Sequence, residues 1–227
     1  MTRHACRIVL LCGAARLEAL GDVRAEELFA ALGAAGDVAS VIFHAGEIEQ
    51  ATFQTLVRKS ALALQAVGVA VVIDGDSQTV GRIKADGLQI PADAALLRDL
   101  RVKHEDRLII GCSNVKGRHN ALLLGEEEPD YLMFGKQGGD THGAANPKNL
   151  DLGAWWSAMV EIPCIVQGGQ DLDSVVTVAQ CGADFVGLET AIFGDEKQAI
   201  DIKACCNRLK AANQLLDDHA PPFETDF

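Results

Sequence analysis

No apolar run in the 227-residue chain approaches the roughly 20 residues of a bilayer-spanning helix, so a soluble protein is expected. Positive charge is scarce: 20 Lys plus Arg stand against 32 Asp plus Glu, a formal charge of −12. A surface of that sign repels polyanions, so neither nucleic acid nor an anionic membrane is an expected partner. The seven cysteines are odd in number and contain no CxxC pair, and Cys12, Cys112 and Cys164 lie in or at the ends of apolar runs. That usage suits small core residues in a reducing compartment, and a cytoplasmic location follows. The adjacent Cys205 and Cys206 read as incidental thiols on a helix. With only 6 prolines and no linker, repeat or second composition, one domain spans 1–227, with a frayed acidic tail at 220–227.

Arg3, His4 and Arg7 ahead of Ile8–Ala15 have the outline of an export signal. The apolar body is only eight residues and runs into Arg16 and Glu18, which fits a buried first strand better.

Short β-branched runs alternate with longer stretches of helical period, the pattern of βα units around a buried parallel sheet. Strands are expected at Ile8–Leu11, Val38–His44, Val69–Ile73, Gly87–Ile90, Leu108–Cys112, Tyr131–Gly135, Cys164–Gln167 and Phe185–Leu188. Helices are expected at Ala25–Ala35, Glu49–Val67, Ser77–Ala85, Ala94–Val102, Lys116–Leu124, Leu150–Val160, Leu172–Cys181 and Glu196–Asp217. Asp171 is a candidate cap for the helix at Leu172, and Gly68 and Gly182 are candidate stops. Eight units in 227 residues predict an α/β fold of the single (β/α)8 TIM-barrel type, with a doubly wound open sheet as the alternative.

In such a barrel chemistry sits where the strands end. Gly168 and Gly169 after the seventh strand let backbone approach an oxyanion, and the amides of Thr190 and Ala191 after the eighth can donate to the same anion. Together they predict a phosphate cup; the alternative is a sharp turn into the next helix. Asp74, Asp76 and Asp93, from neighbouring strand ends, suit Mg²⁺, or else serve as turn and helix-cap residues. Ser113 either donates to a substrate or caps the helix that follows. His44 and His142 are candidate proton carriers or donors to a phosphate, with a solvent-facing loop histidine as the alternative for His142. Lys136 and Lys148 flank the long irregular stretch from Lys136 to Asn149 and are the candidate cations for a phosphorylated ligand, or plain surface.

Five segments in order carry a resemblance: Ala85-Asp86-Gly87-Leu88-Gln89-Ile90, Ile110-Gly111-Cys112-Ser113, Pro129-Asp130-Tyr131-Leu132-Met133-Phe134-Gly135, Ile162 to Gly169, and Gly182 to Gly187. Over about Gly68 to Phe193 the chain resembles thiamine-phosphate synthase and its relative thiazole tautomerase. The resemblance implies a (β/α)8 barrel that joins hydroxymethylpyrimidine diphosphate to thiazole phosphate, with Mg²⁺ holding the leaving diphosphate and with pairing as a homodimer. By position, Gly168, Gly169, Thr190 and Ala191 resemble the thiazole-phosphate binders, and Ser113 the serine that meets the pyrimidine or diphosphate.

The chain departs from that pattern where positive charge is needed. His44-Ala45-Gly46 replaces an Arg-x-Lys pair, Asp74-Gly75 replaces Asn-Asp, and Pro91-Ala92-Asp93 is one residue shorter than Gly-Gln-x-Asp. Asp140-Thr141-His142-Gly143 stands where the family has Thr-x-Thr-Lys. A leaving diphosphate carries about three negative charges and relies on nearby cations, so synthase turnover is expected to be weak or lost. The alternatives are a tautomerase-like enzyme using His44 or His142, and a non-catalytic binder of a phosphorylated thiamine precursor.

Overall fold

The structure is a computed structural model that describes residues 6–104, 107–196 and 198–220. Arg3 and His4, and the tail beyond Ala220, lie outside the described residues.

Eight parallel strands close on themselves: β1 (Arg7–Gly13), β2 (Val38–His44), β3 (Ala70–Asp74), β4 (Gly87–Pro91), β5 (Ile109–Ser113), β6 (Tyr131–Phe134), β7 (Cys164–Gln167) and β8 (Phe185–Leu188). Pairing of Arg7 to Leu10 with Phe185 to Leu188 joins the last strand to the first, and a closed barrel replaces the open-sheet alternative. Closure leaves no edge strand to protect.

Helices fill every crossover: α1 (Ala14–Leu20), α2 (Asp22–Ala35), α3 (Gln50–Gln65), α4 (Ser77–Ile83), α5 (Ala94–His104), α6 (Arg118–Gly125), α7 (Pro147–Met159), α8 (Ser174–Gln180), α9 (Thr190–Phe193) and α10 (Ile202–Asp218). Leu28, Phe29 and Leu32 of α2 are buried as their spacing predicts. Gly68 and Gly182 take positive φ after their helices, the left-handed turn that glycine makes at least cost. Three expectations are corrected. The apolar N-terminal run divides into β1 and an unexpected helix α1, whose Leu17 and Arg16 are buried. Asp171 is not a cap: α8 begins at Ser174, and the Asp171 amide instead donates to the Gly143 carbonyl. The last helix begins at Ile202, capped by Asp201, rather than at Glu196.

The alternation of each strand sorts its residues into two cores. One set packs outward beneath the helices, with Trp156 fully buried and its indole N–H bonded to the Ile162 carbonyl at 2.7 Å. The other set, Val9, Leu11, Ile42, Val72, Tyr131, Met133 and Ile165, fills the barrel axis.

Part of the sequence resemblance has a structural explanation at the closed end. Asp86, Asp130 and Asp184 each precede an even-numbered strand. Their carboxylates accept the amides of Val71 (2.8 Å), Ile110 (2.6 Å) and Cys164 (2.8 Å) in the preceding strands. Each aspartate satisfies an N–H within the first two residues of the preceding strand.

Burial pushes the thiols of Cys112 and Cys205 up to about 12 and about 11, and those of Cys12 and Cys164 higher still. These cysteines are protonated core groups at neutral pH, as their sequence context suggests.

Candidate active site

Two residues beyond the axial Leu11, Ile42 and Val72, the alternation delivers Gly13, His44 and Asp74 to the open end, the start of an inward ring that reaches down to Tyr131 of the axial core. Gly13, His44, Asp74, Gln89, Gly111 and Tyr131 follow one another through direct strand pairing. Ser113, Gln167 and Glu189 complete the mouth from β5, β7 and the residue after β8.

A hydrogen-bonded relay links part of this ring. The Tyr131 hydroxyl donates to Gln89 Oε1 at 3.1 Å, and Gln89 Nε2 donates to Asp74 Oδ2 at 3.0 Å. Burial pushes the Asp74 carboxyl above its usual range, against the Gln89 bond and the neighbouring His44, which lower it. The His44 ring lies against Gly13, where a Cβ would sit 3.0 Å from Nε2. That nitrogen is 4.0 Å from Glu189 Oε1 and has no hydrogen-bond partner among the described residues.

A raised carboxyl favours the protonated, folded form: its contribution to stability is present below the ordinary carboxylate value and is lost as pH rises through the folded value. Asp74→Asn, which keeps an acceptor for Gln89, is therefore expected to raise Tm by roughly 2–4 °C at pH 7. The gain should shrink towards zero near pH 3. Paired thermal melts at both pH values check this, and an unchanged or lower Tm at pH 7 would remove the burial argument.

Each of the three metal candidates is engaged by its own hydrogen-bond partners. Asp74 is tied to Gln89. Asp76 caps α4 through the amides of Gln78 (2.7 Å) and Thr79 (3.0 Å), and Asp93 caps α5 through those of Ala95 (3.0 Å) and Leu96 (3.1 Å). No group of three or more His, Cys, Asp or Glu able to hold a metal occurs among the described residues. As arranged, Asp74, Asp76 and Asp93 do not fit a Mg²⁺ site. Ser113 is buried and donates to the Ile90 carbonyl at 3.4 Å; the helix after it is capped at Gly117 instead.

The stretch after β6 folds back over β7 and β8. A cavity of about 370 Å³ beneath it is lined by Asp140, His142, Asn146, Gln167 and Gly168, among others. Gly168 and Gly169 are buried, and the Gly168 amide continues the sheet to the Gly187 carbonyl at 2.9 Å. The Gly169 amide donates to Ser174 Oγ at 2.9 Å. Thr190 opens α9, and its amide donates to Asp140 Oδ2 at 2.8 Å; Ala191 is buried behind it. Burial pushes the Asp140 carboxyl up, the Thr190 amide draws it down, and Glu189 raises it again. Lys136, His142 and Lys148 are exposed, whereas His44 is half-buried.

Residues 17–192 match the family described as thiamine monophosphate synthase. The chain belongs to that family. The thiamine-phosphate synthase of Erythrobacter litoralis is 31% identical over 181 residues, 78% of this chain and 84% of the relative. That of Rhodospirillum centenum is 29% identical over 157 residues, 68% and 75% of the two chains. Among solved structures, a thiamine phosphate pyrophosphorylase from Pyrococcus furiosus superposes with a TM-score of 0.73 at 17% identity, covering 96% of this chain and 99% of its own. A structure described as native KDPGal superposes at 0.69 with 10% identity, covering 96% and 98%, which is a likeness of barrel alone. Within the thiamine monophosphate synthase family fold, this chain's mouth has one half-buried histidine, His44, and three carboxylates, Asp74, Asp140 and Glu189. Gln89, Tyr131, Asp140 and Glu189 join the site without a sequence-predicted role. Strand parity identifies Glu189, two residues past Gly187, and Gln89, a polar residue inside an apolar strand.

Proposed function

We propose that the protein is a thiamine-phosphate synthase-like enzyme of a single barrel domain, with turnover limited by the sign of its mouth. Family membership over residues 17–192 carries the reading. In the reaction a thiazole-phosphate nitrogen bonds to the methylene carbon of hydroxymethylpyrimidine diphosphate as the carbon–oxygen bond breaks and diphosphate leaves. Gly168, Gly169, Thr190 and Ala191 form the wall for the thiazole monophosphate, and Ser113 faces the pyrimidine side. Lys136, His142 and His44 are the groups that meet the departing diphosphate. No step is assigned to Mg²⁺, because the carboxylates offered for it are engaged elsewhere. A charge of about three units leaving past buried carboxylates is stabilised poorly by exposed cations, which supports a slow reaction. A cytoplasmic location and a homodimer belong to the same reading, the latter checked by sedimentation.

Incubating the purified protein with both precursors and Mg²⁺, and following thiamine phosphate by mass spectrometry, tests the assignment. Slow accumulation proportional to enzyme is the expected result. No product at high enzyme concentration removes it.

The position of His44 beside Glu189 supports a second reading, proton transfer on a thiazole phosphate. Turnover would then survive chelator and disappear in the His44→Ala/His142→Ala double variant; activity persisting in that variant excludes it.

A further inference from the structure

We infer that Asp140 is an internal occupant of the anion position beside Thr190, so that a substrate phosphate binds this protein only by displacing that carboxylate. The inference rests on the phosphate-site reading above and adds how that site is controlled. A carboxylate and a phosphate ask the same thing of an amide, an N–H aimed at an anionic oxygen. Asp140 meets that demand from within the chain, its Oδ2 2.8 Å from the Thr190 nitrogen. The loop bearing it is pinned at three further points. The Gly138 amide donates to Glu189 Oε2 at 2.8 Å, the Gln170 amide to the His142 carbonyl at 2.9 Å, and the Asp171 amide to the Gly143 carbonyl at 3.0 Å. Residues 143 and 144 also lie directly on Gly169, where a Cβ would sit 2.0 Å from the Gly143 oxygen. The loop thus covers one glycine of the cup and engages an amide of its far wall.

Charge makes the two occupants exclusive. Asp140 and Glu189 are both buried, and a phosphate dianion placed against Thr190 would meet both at close range where water screens little. Release of Asp140 to solvent removes its share of that repulsion and frees the donor in one movement. Gly138, at φ +62°, and the adjacent Gly139 give the backbone on the N-terminal side of Asp140 freedom to swing.

The test uses inorganic phosphate as the probe, titrated by calorimetry into the wild-type chain, Asp140→Asn and Asp140→Ala. The Thr190 amide resonance of ¹⁵N-labelled protein reports where it binds. Asp140→Ala is expected to bind phosphate at least about tenfold more tightly than wild type, a difference of about 1.4 kcal/mol, with Asp140→Asn intermediate and the Thr190 resonance moving on titration. Asp140→Asn keeps an acceptor for Thr190, so it preserves the comparison if the alanine variant folds poorly. Equal binding by wild type and variants, with the Thr190 resonance moving in each, overturns the displacement while the phosphate site stands. If neither variant shows binding or any movement at Thr190, the phosphate-site reading falls and takes the inference with it.

Discussion

Gly111→Ala is expected to lower stability by about 3 kcal/mol, the upper part of the range for overpacking, and Tm by roughly 6–12 °C in a chain of this size. A Cβ at this position would sit 2.0 Å from Cζ of Tyr131 and 2.3 Å from both Cε atoms, against the hydroxyl end of the ring. The ring cannot turn aside, because it fills the barrel axis with Met133 and Ile165 and its hydroxyl holds Gln89. The damage therefore reaches the mouth, since Gln89 positions Asp74. Shrinking the neighbour should recover much of the loss, so Gly111→Ala/Tyr131→Val is expected to melt above the single variant. Urea denaturation of the three proteins checks this. A single variant that loses less than about 1 kcal/mol would mean that Tyr131 can leave the axis cheaply, and the relay through Gln89 would lose its support.

Gly169→Ala should act on the loop rather than on the barrel. Its Cβ would meet Gly143 oxygen at 2.0 Å and Ala144 carbonyl carbon at 2.5 Å, and backbone has no rotamer by which to yield. The loop must lift, breaking the Gln170 to His142 and Asp171 to Gly143 bonds. A cost of about 1–3 kcal/mol is expected, together with faster hydrogen exchange at the Gln170 and Asp171 amides and an unchanged far-ultraviolet circular dichroism spectrum. Protection at those two amides equal to wild type would show that the loop does not depend on this contact.

Much of the architecture was legible because its signals are local. The runs Val38–His44, Cys164–Gln167 and Phe185–Leu188 coincide with β2, β7 and β8, since a β-branched or apolar run flanked by polar residues has few other uses. Helix α1 was hidden because Ala14–Leu20 continues the apolar content of β1, with Gly13 as the break, and its start has no side-chain cap to announce it. The start of α7 was set three residues late, although Asn146 and Pro147 form a conventional capping pair, because the polar loop before it hides the boundary. Asp76 and Asp93 show the reverse: their sequence context suits both cap and metal ligand, and in the fold each accepts two amides at the start of its own helix.

The candidate site was legible only in outline. Gly168 and Gly169 follow β7 and Thr190 and Ala191 follow its neighbour β8, but the amides of Gly168, Gly169 and Thr190 are taken by Gly187, Ser174 and Asp140, which no local pattern announces. The relay from Tyr131 to Asp74 follows from strand register, which a single chain's pattern does not state.

Taken alone, the order of residues determined eight βα units, an acidic surface and the family, because periodicity and turn chemistry are properties of neighbours. Which donors remain open at the mouth was decided by tertiary structure. Asp140 reaches Thr190 across 50 positions, and His44 approaches Glu189 only once the barrel has closed. Contacts of that span depend on closure and register, so the charge felt at the mouth is set by the fold and not by any local segment.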